Sequence, residues 1–220
     1  MQSLTDTAPK PMLEAHGRPI LAHLVSHLRR AGVAQILIVT GYRAEQVENY
    51  FANQPGIVFR RQAHPDGTAR AALLAQDFID RDPFLLTYGD ILAAPGTYLG
   101  MAERLEGAET VVAVKRVDDP CQGAAVYAEG DRVTCVIEKP PPGTSTTPFN
   151  SAGIYGFEPS IFHRLEEVRL SPRGEYELTD AVSAVVASGA LARLYEIAGW
   201  WADIGRPEDL ARIPAAMSSE

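Results

Sequence analysis

The stretch QILIVTG at residues 35–41 decides the architecture. Ile36, Leu37, Ile38 and Val39 form an unbroken apolar run between Gly32 and Gly41. The run is too short for a helix and lacks the alternation of a half-exposed strand, so it predicts a strand over 35–40 buried on both faces. PFLLTYGD at 83–90 repeats the pattern and predicts a second buried strand over 83–88, ending at Gly89 and Asp90. Helical spacing surrounds them. Over 18–31, Ile20, Leu21, Leu24, Val25 and Leu28 share one face, with Pro19 in the first turn and Gly32 as the stop. Residues 44–52 and the Ala-rich 67–78 also read as helices, and 57–60 as a short strand. Strand and helix alternate through residues 1–90, which argues for a parallel sheet with helices on both faces.

The rest of the chain is more mixed. Residues 110–117, 123–128, 132–138 and 151–157 carry β patterns, and PPPGTSTTP at 140–148 is a loop of turn formers. A helix is expected over 177–187, a last strand over 191–197 and a final helix over 207–212. With 220 residues, 46% of them hydrophobic, and neither a linker nor a repeat, the chain is expected to fold as a single domain over 1–220.

A formal charge of -8 with no clustered Lys or Arg excludes non-specific binding to nucleic acid or an anionic membrane. No apolar run reaches the length of a membrane span, and the N-terminal residues lack a signal-peptide pattern. The two cysteines, Cys121 and Cys135, have neither disulfide-framework nor zinc spacing. Reduced thiols in the cytoplasm are the expectation.

In open α/β sheets ligands bind beyond the carboxyl ends of the strands, which points to Gly41, the segment 62–67 and Asp90. Asp90 follows a buried strand and Gly89, a setting for either a magnesium ligand or a turn cap. Asp203, in GWWADIGRPEDL, has the same two readings, with a helix-entry cap as its structural one. Lys10 lies between Pro9 and Pro11, which are expected to hold it extended, and Lys139 precedes Pro140. Each lysine is either an aimed cation or a solvated charge. In QAHPDGTA (62–69), Gly67 and Thr68 stand at a helix entry whose free amides could meet a phosphate or a base edge, and the Gln62 amide could pair with a base. A plain helix cap is the alternative, as it is for EYELTD at 175–180. His23 and His27 have no third ligand and are assigned to packing.

In order, LTDTAPKPML, GRPILAHL, VTGYRAEQVENYF, QAHPDGTARA, LLTYGD, VIEKP, NSAGIYGF, GEYELTDA and GWWADIGRPEDL resemble the sugar-1-phosphate nucleotidylyltransferase family from about Leu4 to Leu210. The resemblance implies a Rossmann-like nucleotide-diphospho-sugar transferase fold, α/β, with a mixed, mostly parallel sheet. It also implies a reaction: a sugar-1-phosphate oxygen attacks the α-phosphorus of a nucleoside triphosphate and releases pyrophosphate. The attacking phosphate is already anionic, so positioning and charge neutralisation suffice without a general base. By resemblance, Asp90 and Asp203 hold Mg2+, Lys10 contacts the triphosphate and Lys139 the sugar phosphate. Gln62 and Gly67, with Thr68, fall where the base is read, in the spacing of enzymes using UTP or dTTP. Tyr88, Gly123, Glu138, Asn150 and Glu177 fall in the sugar pocket, with Gln122 and Gly153 as neighbours.

The family has a buried strand and a glycine-rich loop directly before the segment matched here by Met1 to Leu13, and this sequence contains neither. The first strand of the fold is thus missing from the sequence. The expectation is that strands 35–40 and 83–88 carry unpaired apolar edges, which favours homo-oligomers, and that the chain alone is inactive. Met1 is read as an internal methionine of a longer product. The alternative is a non-catalytic paralogue that binds a sugar nucleotide or a partner.

Overall fold

The computed structural model describes residues 8–204 together with 209 and 213. A short ladder of β1 (Glu14–Ala15) and β2 (Arg18–Pro19) is followed by α1 (Ile20–Arg30), β3 (Ile36–Thr40), α2 (Ala44–Phe51), β4 (Ile57–Arg61) and α3 (Thr68–Leu73). Then come β5 (Phe84–Thr87), β6 (Ile91–Ala93), α4 (Pro95–Leu105), β7 (Thr110–Arg116), β8 (Ala124–Glu129), β9 (Arg132–Glu138) and β10 (Phe149–Phe157). The order closes with α5 (Ile161–Glu167), α6 (Leu178–Ala187), β11 (Ala192–Glu196) and β12 (Trp201–Asp203). Single 3-10 turns occupy Lys10–Met12 and Pro120–Gln122.

The described residues gather into two compact units. The first takes those of Met1–Ala63, Tyr88–Leu99 and Gly199–Glu220, and the second His64–Thr87 and Gly100–Ala198. In the first, β3 and β4 are parallel and in register from Ile36↔Ile57 to Thr40↔Arg61. Its core is built on the apolar face of α1, where Ile20 and Leu24 are buried, together with Phe51, Leu92, Tyr98 and Ile204. The two histidines of α1 are buried and bonded to backbone: His23 Nε2 to the carbonyl of Ala15 at 2.8 Å, and His27 Nδ1 to that of Ala93 at 2.9 Å. Both are packing residues, as their sequence context predicts.

The second unit holds a six-stranded sheet in the order β5-β10-β7-β11-β9-β8, with a further β10–β8 pairing that closes the ladder on itself. Val111, Val112, Ala113, Val114, Ile154 and Phe157 are fully enclosed. Here β10 runs antiparallel to β5, β7 and β8, and only β7–β11 is parallel. The sheets are mixed, but among the described pairings antiparallel ones outnumber the parallel ones, unlike the mostly parallel sheet expected. The strand patterns of residues 110–157 follow one another with short connections, and such strands pair antiparallel.

Element boundaries differ where local signals mislead. The helix expected over 67–78 ends at Leu73, because Leu74, Ala75 and Gln76 donate three residues back to Ala71, Ala72 and Leu73, which tightens the backbone out of the α-helix. Strands β3 and β5 are less enclosed than their apolar runs imply. Leu37 and Val39 are half-buried, as is every residue of β5. Among the described residues, β3 pairs only with β4 and β5 only with β10, so each has one laddered edge. The final helix expected over 207–212 lies outside the described residues apart from Asp209. No helix among the described residues is long and apolar enough to cross a membrane.

Candidate active site

Five of the residues singled out from sequence lie in the first unit: Lys10, Gln62, Tyr88, Asp90 and Asp203. Asp90 stands immediately before β6 and Asp203 ends β12. The two strands are antiparallel, with Asp203 opposite Ile91, and the Ile204 amide donates to the Asp90 carbonyl at 3.0 Å. Partial burial raises the Asp90 carboxyl above the usual aspartate range, opposed by the charge of Lys10. Asp203 is more exposed, yet desolvation also raises its pKa, reinforced by the negative charge of Asp90 and opposed by Lys10.

Lys10 is not held extended between its prolines. Pro9 is extended, but Lys10 begins a 3-10 turn in which the Leu13 amide returns to the Lys10 carbonyl at 3.0 Å. Pro11 sits early in that turn, where its missing N–H costs nothing. Gly89 lets Pro11 pack close: a Cβ on Gly89 would stand 3.2 Å from the proline Cγ. Lys10 and Asp90 line a cavity of about 510 Å3 that also takes in Thr40, Gly41 and Tyr42. Gln62 follows β4 directly, its amide donating to the Thr40 carbonyl at 2.8 Å.

Among the described residues no group of three or more His, Cys, Asp and Glu side chains forms a metal site. Asp90 and Asp203 remain as a carboxylate pair. Magnesium commonly takes one or two protein carboxylates and completes its shell with phosphate oxygens and water, so this donor set fits it.

The second unit holds Gly67, Thr68, Gly123, Glu138, Lys139, Asn150 and Glu177. The β8–β9 ladder sets Ala124 opposite Glu138, and the Lys139 amide donates to the Gly123 carbonyl at 3.0 Å. Lys139 has φ 41°, a left-handed conformation that costs a residue other than glycine about 1–3 kcal/mol and concentrates at functional sites. Asn150 lies where β10 pairs with both β7 and β8, opposite Lys115 and Ala125. Its Oδ1 is buried with no hydrogen-bond partner among the described residues, and a Cβ on Gly123 would come within 2.7 Å of it. A buried acceptor left open beside a glycine is an invitation to a ligand hydroxyl or amide.

Glu138 is held at both oxygens, by Arg173 Nη1 at 3.2 Å and by the Thr179 hydroxyl at 3.1 Å. Glu177 is buried and accepts from the Ser171 hydroxyl at 3.1 Å, with Arg173 Nη1 3.4 Å away. Arg173 thus serves Glu138 and Glu177 together, and Glu175 lies 3.8 Å from its other terminal nitrogen. Arg173 and Thr179 were missed in the sequence. The signal was present in RGEYELTD, where one arginine precedes two glutamates, at two and four residues' distance.

Gly67 and Thr68 have clear structural duties. Gly67 has φ 131°, and a Cβ there would overlap the Tyr176 backbone. The Tyr176 amide and carbonyl bond to Asp66 and Ala69 on either side. Thr68 Oγ1 accepts from the Leu178 amide at 2.9 Å and so caps α6 from a distant segment. Tyr88 belongs to the first unit, apart from the other residues assigned to the sugar pocket.

The mixed α/β architecture is that of a known UDP-glucose pyrophosphorylase. It superposes on a UDP-glucose pyrophosphorylase complexed with UDP-glucose with a TM-score of 0.84, at 21% identity over 99% of this chain and 91% of that one. HddC from Yersinia pseudotuberculosis gives 0.75, at 22% identity over 96% and 91%. Over residues 1–220 the sequence matches the Nucleotidyl transferase family, and the chain belongs to it. It is 34% identical to the UTP--glucose-1-phosphate uridylyltransferase AglF of Haloferax volcanii, covering 100% of this chain and 92% of that protein. The Bifunctional protein GlmU of Methanocaldococcus jannaschii is 33% identical over 96% of this chain. This chain spans 49% of that GlmU and 60% of the low-salt glycan biosynthesis nucleotidyltransferase Agl11 of Haloferax volcanii.

Proposed function

We propose that the protein is a sugar-1-phosphate nucleotidylyltransferase that joins UTP or dTTP to a hexose-1-phosphate and releases pyrophosphate. The observation that carries this reading is the Asp90–Asp203 pair, fixed by a backbone ladder and faced by Lys10. Asp90 and Asp203 would hold Mg2+, which when bound neutralises charge on phosphate oxygens. Lys10 binds the triphosphate as a second positive charge. Gln62 supplies an amide whose donor and acceptor both match a pyrimidine edge. In the other unit, Lys139 holds the phosphate of the sugar, while Asn150, Glu138 and Glu177 accept from its hydroxyls. Gly123 keeps the Asn150 amide accessible, since any side chain there would press on it. The sugar phosphate attacks as an anion, so the residues orient and neutralise and no side chain need remove a proton.

The pyrimidine preference draws support from AglF, a relative named for UTP and glucose-1-phosphate that this chain covers almost end to end. Two free thiols, one of them exposed at Cys135, agree with a reducing cytoplasm.

The test pairs thermal shift with a pyrophosphate-release assay, using UTP, dTTP, GTP and CTP with glucose-1-phosphate, with and without Mg2+. Magnesium-dependent stabilisation by UTP or dTTP is expected, with little or no turnover by this chain alone. A protein that no nucleoside triphosphate stabilises, and that releases no pyrophosphate, would sink the proposal.

A further inference from the structure

The cavity around Lys10 and Asp90 has one wall to which the proposed roles assign nothing. Tyr42 lines it, 63% exposed, just past the carboxyl end of β3. A single exposed tyrosine is ordinary on a protein surface. Tyr50, 43% exposed, is such a case, its ring packed edge-on to Phe51 at 4.8 Å. Tyr42 differs because its orientation is built. The guanidinium carbon of Arg43 lies 5.3 Å from its ring centroid, and Arg43 Nε donates to its hydroxyl at 2.8 Å. To reach that position Arg43 adopts a left-handed backbone, φ 53° and ψ 41°, at the entry to α2. A long β-unbranched side chain gains nothing locally from that conformation, so the segment carries a cost of about 1–3 kcal/mol that the surrounding contacts must offset.

The neighbouring strand supplies the rest. Thr40 and Arg61 are partners at the ends of β3 and β4, and the residue after β4, Gln62, donates its backbone N–H to the Thr40 carbonyl. A Cβ on Gly41 would lie 3.9 Å from the Gln62 carbonyl, so the segments bearing Tyr42 and Gln62 leave the sheet side by side. An aromatic side chain on one segment and, on the segment beside it, a primary amide that both donates and accepts are the two groups that recognise a nucleobase: the ring takes its π-face and the amide its edge.

We infer that Tyr42 is the stacking platform for the pyrimidine of the nucleoside triphosphate, with Arg43 as the positioning residue that fixes its ring. The inference rests on the nucleotidyltransferase reading of the same unit. Stacking is indifferent to which base is present, so Tyr42 supplies affinity and Gln62 the choice.

The experiment compares Tyr42→Ala and Tyr42→Phe with the wild-type chain in titrations of UTP and of inorganic tripolyphosphate, both with Mg2+. Tyr42→Ala is expected to weaken UTP about 10- to 100-fold while leaving tripolyphosphate unchanged, and Tyr42→Phe, which keeps the ring but loses the Arg43 bond to the hydroxyl, to weaken UTP by less than Tyr42→Ala and leave tripolyphosphate unchanged. An unchanged UTP affinity in Tyr42→Ala, or an equal loss for tripolyphosphate, overturns the stacking role while the nucleotide site stands. Wild-type protein that binds neither probe overturns both readings.

Discussion

Asp90 and Asp203 are neighbours because of the backbone, not their own side chains: the Ile204 amide donates to the Asp90 carbonyl at 3.0 Å, one step beyond the Asp203↔Ile91 pair. Two like charges are thereby held together with Lys10 as counterion. A divalent cation would relieve the repulsion that the ladder imposes.

Asp90→Asn and Asp203→Asn should therefore lose magnesium-dependent UTP binding, by about tenfold or more in affinity. The ligand-free proteins should be no less stable than wild type, because each substitution removes one of two repelling charges. Calorimetric titration with Mg2+ and UTP alongside thermal melts checks both halves. Undiminished magnesium dependence in both variants would remove these residues from the metal site.

Gly67→Ala is expected to destabilise the protein by roughly 2–5 kcal/mol, through backbone strain and overlap rather than any lost ligand contact. The new Cβ would meet the Tyr176 backbone, which is tied to Asp66 and Ala69 and has nowhere to move. Urea midpoints measure this. A variant of wild-type stability would show that the turn yields easily.

Gly123→Ala tests the open Asn150 acceptor. Gly123 is not in the left-handed region, so the substitution should barely alter the melting temperature, and the added methyl would press on the end of an amide that can turn away. Sugar-1-phosphate affinity should fall about tenfold, the cost of one misplaced polar contact of about 1.4 kcal/mol. Equal affinities would remove Asn150 from the sugar pocket.

Burial holds the Glu177 carboxyl above the usual glutamate range, against the Ser171 hydrogen bond and the Arg173 charge and helped by Glu138 and Glu175. A carboxyl with a higher pKa when folded binds its proton more tightly in the native state. Its contribution to stability is full below the unfolded pKa and is lost as pH rises through the folded one. Relative to Glu177→Gln, wild type should thus lose stability as pH climbs above about 4.3, the ordinary glutamate value. Parallel urea titrations across that interval, without ligand, are the check. Identical pH slopes for the two proteins would contradict the assignment.

Much of the fold is legible in the sequence because it depends on short-range pattern. The apolar face of α1 and the run in β3 announce themselves through spacing that one helix or strand can satisfy alone. Helices α4 and α5 carry weaker signals. In PGTYLGMAERL the glycines at 96 and 100 dilute the pattern of α4, and Gly100 is there because the Tyr195 hydroxyl occupies the space a side chain would need. Strand direction is less legible still, since the same apolar run serves a parallel or an antiparallel ladder.

The site divides in the same way. Asp90 and Lys139 could be picked out by their flanking Gly, Pro and strand residues, Gly123 came only from the family resemblance, and the ordered motifs placed the chain in its family. That Thr68 caps α6, that Arg173 joins Glu138 to Glu177, and that Lys10 sits in a turn could not be read there. Each depends on groups brought together from distant positions, and sequence spacing encodes only the periodicity of one element at a time. The sequence by itself determined the element types and the inventory of charged and polar groups. Only the tertiary structure decided which carboxylates lie side by side and which polar atoms are buried without a partner among the described residues, because those are properties of distances across the ladder and of burial.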